Sequence, residues 1–107
     1  MEELKYSVLM SVYHKENPDY FRDSIKSMLK QTIKPDEIII VKDGKLTKEL
    51  DAVLDEFQNN EIIKVIALEV NKGLGEALNI GIQNCRNEII ARMDTDDLSK
   101  KIDAKDN

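Results

Sequence analysis

Four short apolar runs alternate along this chain with three stretches in which apolar residues recur at helical spacing, and that alternation leaves few folds open. The runs are Ser7-Val8-Leu9-Met10-Ser11-Val12, Glu37-Ile38-Ile39-Ile40-Val41-Lys42, Ile62 to Leu68 and Glu88 to Met93. None shows a 3.6-residue period, and the first two lack a polar face, as expected of strands buried on both sides. Between them, Phe21, Ile25, Met28 and Leu29 share one helical face. Leu50, Val53, Leu54 and Phe57 fall at i, i+3, i+4 and i+7, and Leu74, Ala77, Leu78, Ile82 and Cys85 make a third stripe. Asn17-Pro18 supplies a capping side chain followed by a proline preset for a first turn, and Thr47 can cap the second helix.

The order β-α-β-α-β-α-β calls for a parallel α/β sheet with right-handed crossovers and helices on both faces. Lys64 interrupts the third run and marks it as an edge strand. With the first run central, the expected strand order is 3-2-1-4, the first half of a doubly wound, Rossmann-like fold. At 107 residues the chain holds one domain at most. Residues 1–98 are expected to form it, with 99–107 as a charged, solvated C-terminal tail.

Charge and composition exclude several functions. There are 16 basic and 21 acidic residues and no Lys/Arg block, so the net charge of −5 argues against a nucleic-acid partner. No apolar stretch approaches the ~20 residues of a transmembrane segment. The start Met1-Glu2-Glu3-Leu4-Lys5 is not a secretory signal, and the expected compartment is the cytoplasm. The lone Cys85 reads as a small core residue.

The chemistry-bearing residues follow the strands. Ligands of open parallel sheets bind at the carboxyl ends, at the switch point where crossovers leave in opposite directions. Delivered there are Tyr13 and His14, then Asp43, and finally Asp94, Asp96 and Asp97 in Met93-Asp94-Thr95-Asp96-Asp97-Leu98. Three acids this close repel one another unless a cation answers them, and a divalent metal holding a diphosphate would do so. One such acid would be an ordinary helix cap. Asp43-Gly44 alone is a plain turn, and Tyr13 alone is packing. A phosphoacceptor receiver domain is also small and acid-lined, but it needs acids after the first strand, where this chain has Tyr13-His14.

Together the blocks resemble the nucleotide-binding half of family-two glycosyltransferases with the GT-A fold, similar to bacterial enzymes of surface or exported polysaccharide synthesis. The likeness runs through Ser7 to Tyr13, Ser24 to Thr32, Glu37 to Gly44, Asn71-Lys72-Gly73 with Ala77-Leu78-Asn79, and Asp94-Thr95-Asp96-Asp97. It implies a nucleotide-diphospho-sugar donor held by Val12, Tyr13, Asp43, Lys72 and Asp94. Tyr13 would pack on the base and Asp43 would read a base N–H. Asp94, Asp96 and Asp97 form the DxD-type motif for Mg²⁺ or Mn²⁺. It also implies a sugar or lipid-linked acceptor.

Two departures stand out: Lys42 replaces the first of two acids before Gly44, and Lys72 is the nearest cation to Gly73, where some relatives place arginine. No catalytic base is identified. His14 lies on the donor side, and the base is expected beyond the C-terminus. The chain is thus expected to be the donor-binding portion of a transferase, incomplete by itself and prone to self-association through an exposed sheet edge. The alternative is an inactive nucleotide-sugar-binding or interaction module.

Overall fold

A computed structural model describes residues 5–93. The elements run β1 (Ser7–Val12), α1 (Pro18–Leu29), β2 (Glu37–Lys42), α2 (Lys48–Glu56), β3 (Ile63–Ala67), α3 (Leu74–Asn84) and β4 (Ile90–Arg92). All three strand pairings are parallel, and the sheet order is β3-β2-β1-β4, as the sequence implies. Strand β4 has three residues where the apolar run covers six. Its partner β1 is matched only from Ser7↔Ile90 to Leu9↔Arg92.

Helix starts follow local chemistry. The Asn17 side chain accepts the N–H groups of Asp19 and Tyr20, and Pro18 occupies the first turn. Thr47 accepts from Leu50 N–H at the head of α2. Arg22 of α1 pairs with Glu56 of α2 at 2.8 Å and ties the two helices at the surface.

Alternation along the strands sorts the core into two layers. Val8, Met10, Val12, Ile38 and Ile40 face α1 and α2, where Phe21, Ile25, Leu50 and Val53 meet them. Leu9, Ile39, Val41 and Ile90 face α3 and Ala77. Helix α3 lies close against the sheet because Gly81 has no side chain. A Cβ there would sit 2.2 Å from Leu9 Cδ1 and 3.1 Å from Val41 Cγ2. Gly81→Val should therefore destabilise the fold by roughly 1–3 kcal/mol, the usual cost of overpacking, despite valine's better helix propensity. Urea denaturation showing unchanged or raised stability would contradict this.

Two details differ from the sequence pattern. Leu74 is not inward-facing: it opens α3 beyond the end of the sheet and is 59% exposed. Cys85 ends α3 half-buried, packed against the α3-side core rather than sealed within it.

A buried polar network closes the amino end of the sheet. Glu37 is 1% exposed. Its Oε2 accepts from Ser7 Oγ (2.6 Å) and from the Arg86 backbone N–H (2.7 Å), and Lys64 Nζ lies 3.5 Å from Oε1. Asn87 Nδ2 donates to Ser7 Oγ and Asp36 Oδ2, and Arg86 Nε donates to Asp36. The segment joining α3 to β4 is thereby fixed to the starts of β1 and β2. Lys64 does mark an edge strand, as expected, and it also answers this buried acid.

Candidate functional site

At the opposite end of the sheet the strand tips enclose a cleft of about 300 Å³. Ser11, Tyr13 and Glu16 line it from β1 and the loop after it, Asp43 from the tip of β2, and Asn71, Gly73 and Leu74 from the turn into α3. Tyr13 and Asp43, separated by thirty positions in the chain, thus share one cavity. Tyr13 is 38% exposed, and His14 packs edge-on against its ring at 5.6 Å and 77°.

Asp43 is the organising residue. Its backbone N–H continues the sheet by donating to the Val12 carbonyl at 2.8 Å. Its side chain, in a residue only 3% exposed, accepts the Lys72 N–H on Oδ1 (2.7 Å) and the Gly73 N–H on Oδ2 (3.0 Å). Asn71 Nδ2 donates to the Asp43 carbonyl at 3.2 Å. The turn is seated closely on Gly44, which has φ +89°. A Cβ there would lie 2.8 Å from Asn71 N, so both the backbone conformation and the close approach require glycine.

The other residues singled out from sequence divide. Val12 is fully buried in the α1/α2 layer, so its side chain does not reach the cleft and only its carbonyl takes part, through Asp43. Lys72 contributes its backbone N–H, while its exposed side chain is not part of the cleft lining. Lys42 lies on the opposite face of β2 and pairs with Asp51 of α2 at 3.1 Å. Its cation therefore stays out of the cleft. Asp94, Asp96 and Asp97 lie outside the described residues, as does the segment 99–107. Among the described residues, no three potential metal ligands come together.

Sequence reasoning missed Ser11, Glu16, Asn71, Gly73 and Leu74 as lining residues. Strand alternation held the signal for Ser11, two residues before Tyr13 and on the face opposite the buried Val12.

Comparison with known proteins places this geometry. The sequence model described as Glycosyl transferase family 2 matches residues 7–103. The chain belongs to that family. Among family relatives, the UDP-Gal:alpha-D-GlcNAc-diphosphoundecaprenol beta-1,3-galactosyltransferase of Escherichia coli is 43% identical over 96 residues, 90% of this chain and 35% of that enzyme. The amylovoran biosynthesis glycosyltransferase AmsE of Erwinia amylovora is 42% identical over 93 residues, covering 87% of this chain and 35% of AmsE. The chain spans about a third of the length of these curated relatives.

Of solved structures, S. aureus TarS 1-349 in complex with UDP-GlcNAc superposes with a TM-score of 0.75 at 26% identity, covering 89% of this chain and 27% of that one. The mannosyltransferase PcManGT of Pyrobaculum calidifontis, in complex with GDP-Man and Mn²⁺, reaches 0.74 at 16% identity over 87% of this chain and 28% of that one, and shares the fold. The GT-A, Rossmann-like architecture of the family is thus the architecture of this chain. No helix among the described residues is long and apolar enough to cross a membrane.

Proposed function

We propose that this chain forms the donor-binding portion of a glycosyltransferase and holds a nucleotide-diphospho-sugar in the cleft above β1 and β2. The observation that carries the reading is the shared cavity of Tyr13 and Asp43. An exposed ring and a mostly buried carboxylate acceptor face one space of about 300 Å³, the pairing a nucleobase needs for stacking and for one polar contact. The reaction in this reading is transfer of the sugar to a sugar or lipid-linked acceptor in polysaccharide synthesis, supported by the names of the two relatives, a galactosyltransferase acting on a diphosphoundecaprenol-linked sugar and an amylovoran biosynthesis enzyme.

In this reading Asp94, Asp96 and Asp97 follow β4 and hold Mg²⁺ or Mn²⁺, whose Lewis acidity would stabilise charge on the departing diphosphate. Support comes from the Mn²⁺ complex of PcManGT and from the three carboxylates in the sequence. The donor contacts assigned to Tyr13, Asp43 and Lys72 belong to the same proposal, with Lys72 acting through its backbone. The chain would work in the cytoplasm. Strand β4, whose outer edge is unpaired among the described residues, would mediate self-association.

Calorimetric titration with pyrimidine and purine nucleoside-diphosphate sugars, with and without Mn²⁺, tests the reading. Binding of at least one donor, strengthened by Mn²⁺, is the expected result. No heat from any of them at millimolar concentration would overturn donor binding, and binding indifferent to Mn²⁺ would overturn the metal assignment.

A further inference from the structure

Strand β3 ends the sheet on the side away from β4. Its ladder to β2 uses alternate residues: the Ile62 carbonyl accepts from Ile38 N–H, and Leu68 N–H donates to the Lys42 carbonyl. Val65 and Ala67 lie an odd number of steps from both, so their N–H and C=O groups turn away from β2. Beside this edge, between β3 and α2, is a cavity of about 390 Å³, separate from the donor cleft. Phe57, Ile63 and Val65 give it an apolar side, and Asp51 and Asp55 add two carboxylates. Lys42 answers Asp51 at 3.1 Å, whereas Asp55 is exposed and meets no cation among the described residues. Lys64 sits on the other face of the strand, drawn toward Glu37, and leaves the cavity open.

We propose that the outer edge of β3 takes a basic, extended segment of a partner protein as an added strand. The outward groups of Val65 and Ala67 supply the main-chain hydrogen bonds, and the cavity supplies the choice of side chain. An added strand lies about 4.8 Å from β3, and every second side chain points to the α2 face, where the cavity opens. A lysine or arginine at such a position lays its stem along Phe57 and Val65 and brings its cation to Asp55. A second copy of this chain fits worse. Antiparallel pairing of β3 with its own twin keeps both α2 faces on one side of the joined sheet. It therefore brings the carboxylates of one copy toward those of the other, with no cation beyond the Lys42 that Asp51 already engages.

The test titrates the chain into two fluorescein-labelled peptides, one alternating threonine with lysine and one alternating threonine with glutamate. Val65→Pro removes an outward N–H while sparing the ladder to β2. Asp55→Asn removes the unanswered charge at an exposed helix position, and Asp23→Asn, exposed on α1, controls for net charge. The lysine peptide should bind at least about tenfold more tightly than the glutamate peptide. Its affinity should fall about tenfold in Val65→Pro, about threefold in Asp55→Asn, and not at all in Asp23→Asn. Should Val65→Pro lower the urea midpoint, the comparison of Asp55→Asn with Asp23→Asn decides alone. No binding at millimolar peptide, equal binding of the two peptides, or equal losses in the two asparagine variants overturns the proposal. So does undiminished binding by a stably folded Val65→Pro. Sedimentation showing a dimer that Val65→Pro dissolves would give the edge to a second copy instead.

Discussion

Asp43→Ala should abolish measurable nucleotide binding and lower the stability of the fold by about 2–4 kcal/mol. The stability term follows from two backbone donors, Lys72 N–H and Gly73 N–H, that lose their acceptor together in a part-buried setting, at roughly 1–3 kcal/mol for each group left unmatched. The binding term follows because the carboxylate that lines the cleft also seats the turn carrying Asn71, Gly73 and Leu74. Removing it takes away a contact and a wall of the cleft together. Asp43→Asn separates the two roles. Its amide keeps one acceptor oxygen but turns an NH₂ toward a backbone N–H, so it should lose about half the stability that alanine loses while still failing to bind. Urea midpoints and nucleotide titrations on both variants decide the matter, and an alanine variant as stable as the parent would show that the turn does not depend on Asp43.

The second large effect is expected at the other end of the sheet. Glu37→Ala should cost about 2–4 kcal/mol, since Ser7 Oγ–H and the Arg86 N–H are stranded and a buried volume is left empty. Lys64 is half-exposed, so its ion pair adds little beyond the hydrogen bonds.

Burial pushes the Glu37 carboxyl up, but the Ser7 hydroxyl, the Arg86 N–H and the charges of Lys64 and Arg86 together outweigh it, leaving the group below its ordinary value. Because the folded-state pKa is depressed, the stabilisation is fully present above the unfolded value of about 4.3 and is lost as pH falls through the folded one. Asp36, held down chiefly by Arg86 and then by Asn87, adds to the loss in the same direction. The parent should thus weaken steadily below about pH 4, and the gap between parent and Glu37→Ala should narrow there. Parallel pH–stability curves for the two proteins would remove Glu37 from the acid response.

Much of this was legible in the chain. The β-branched runs, Asn17-Pro18, Thr47 and the lysine in the third run each act through a local preference that the fold leaves intact, so the strand order could be read directly. The pairing of Tyr13 with Asp43 was legible too, because strand ends in a parallel sheet converge. What escaped was tertiary. No local rule shows that Asp43 closes on the backbone of residues 72 and 73, that Lys42 is drawn across the strand to Asp51, or that Glu37 is neutralised from three directions. The burial of the Val12 side chain escaped for a related reason. The residue adjoins Tyr13 in sequence, yet neighbours on a strand face opposite ways, and its side chain belongs to the core.

One consequence concerns the length of the crossover from β3 to β4. Glu37 and Asp43 point to the same side of β2 and grip the backbone just after and just before α3, so the strand works as a gauge for the helix. Six strand steps measure about 20 Å, and the 11 residues of α3 rise about 16 Å, with the flanking turns making up the rest. Inserting a single residue would lengthen the helix by about 1.5 Å and swing everything beyond it by about 100°. One acid would then release its backbone, and Gly81 would turn away from Leu9. Insertions and deletions should accordingly be absorbed in the loops around α1 and α2, while the span between Asn71 and Asn87 keeps a fixed count.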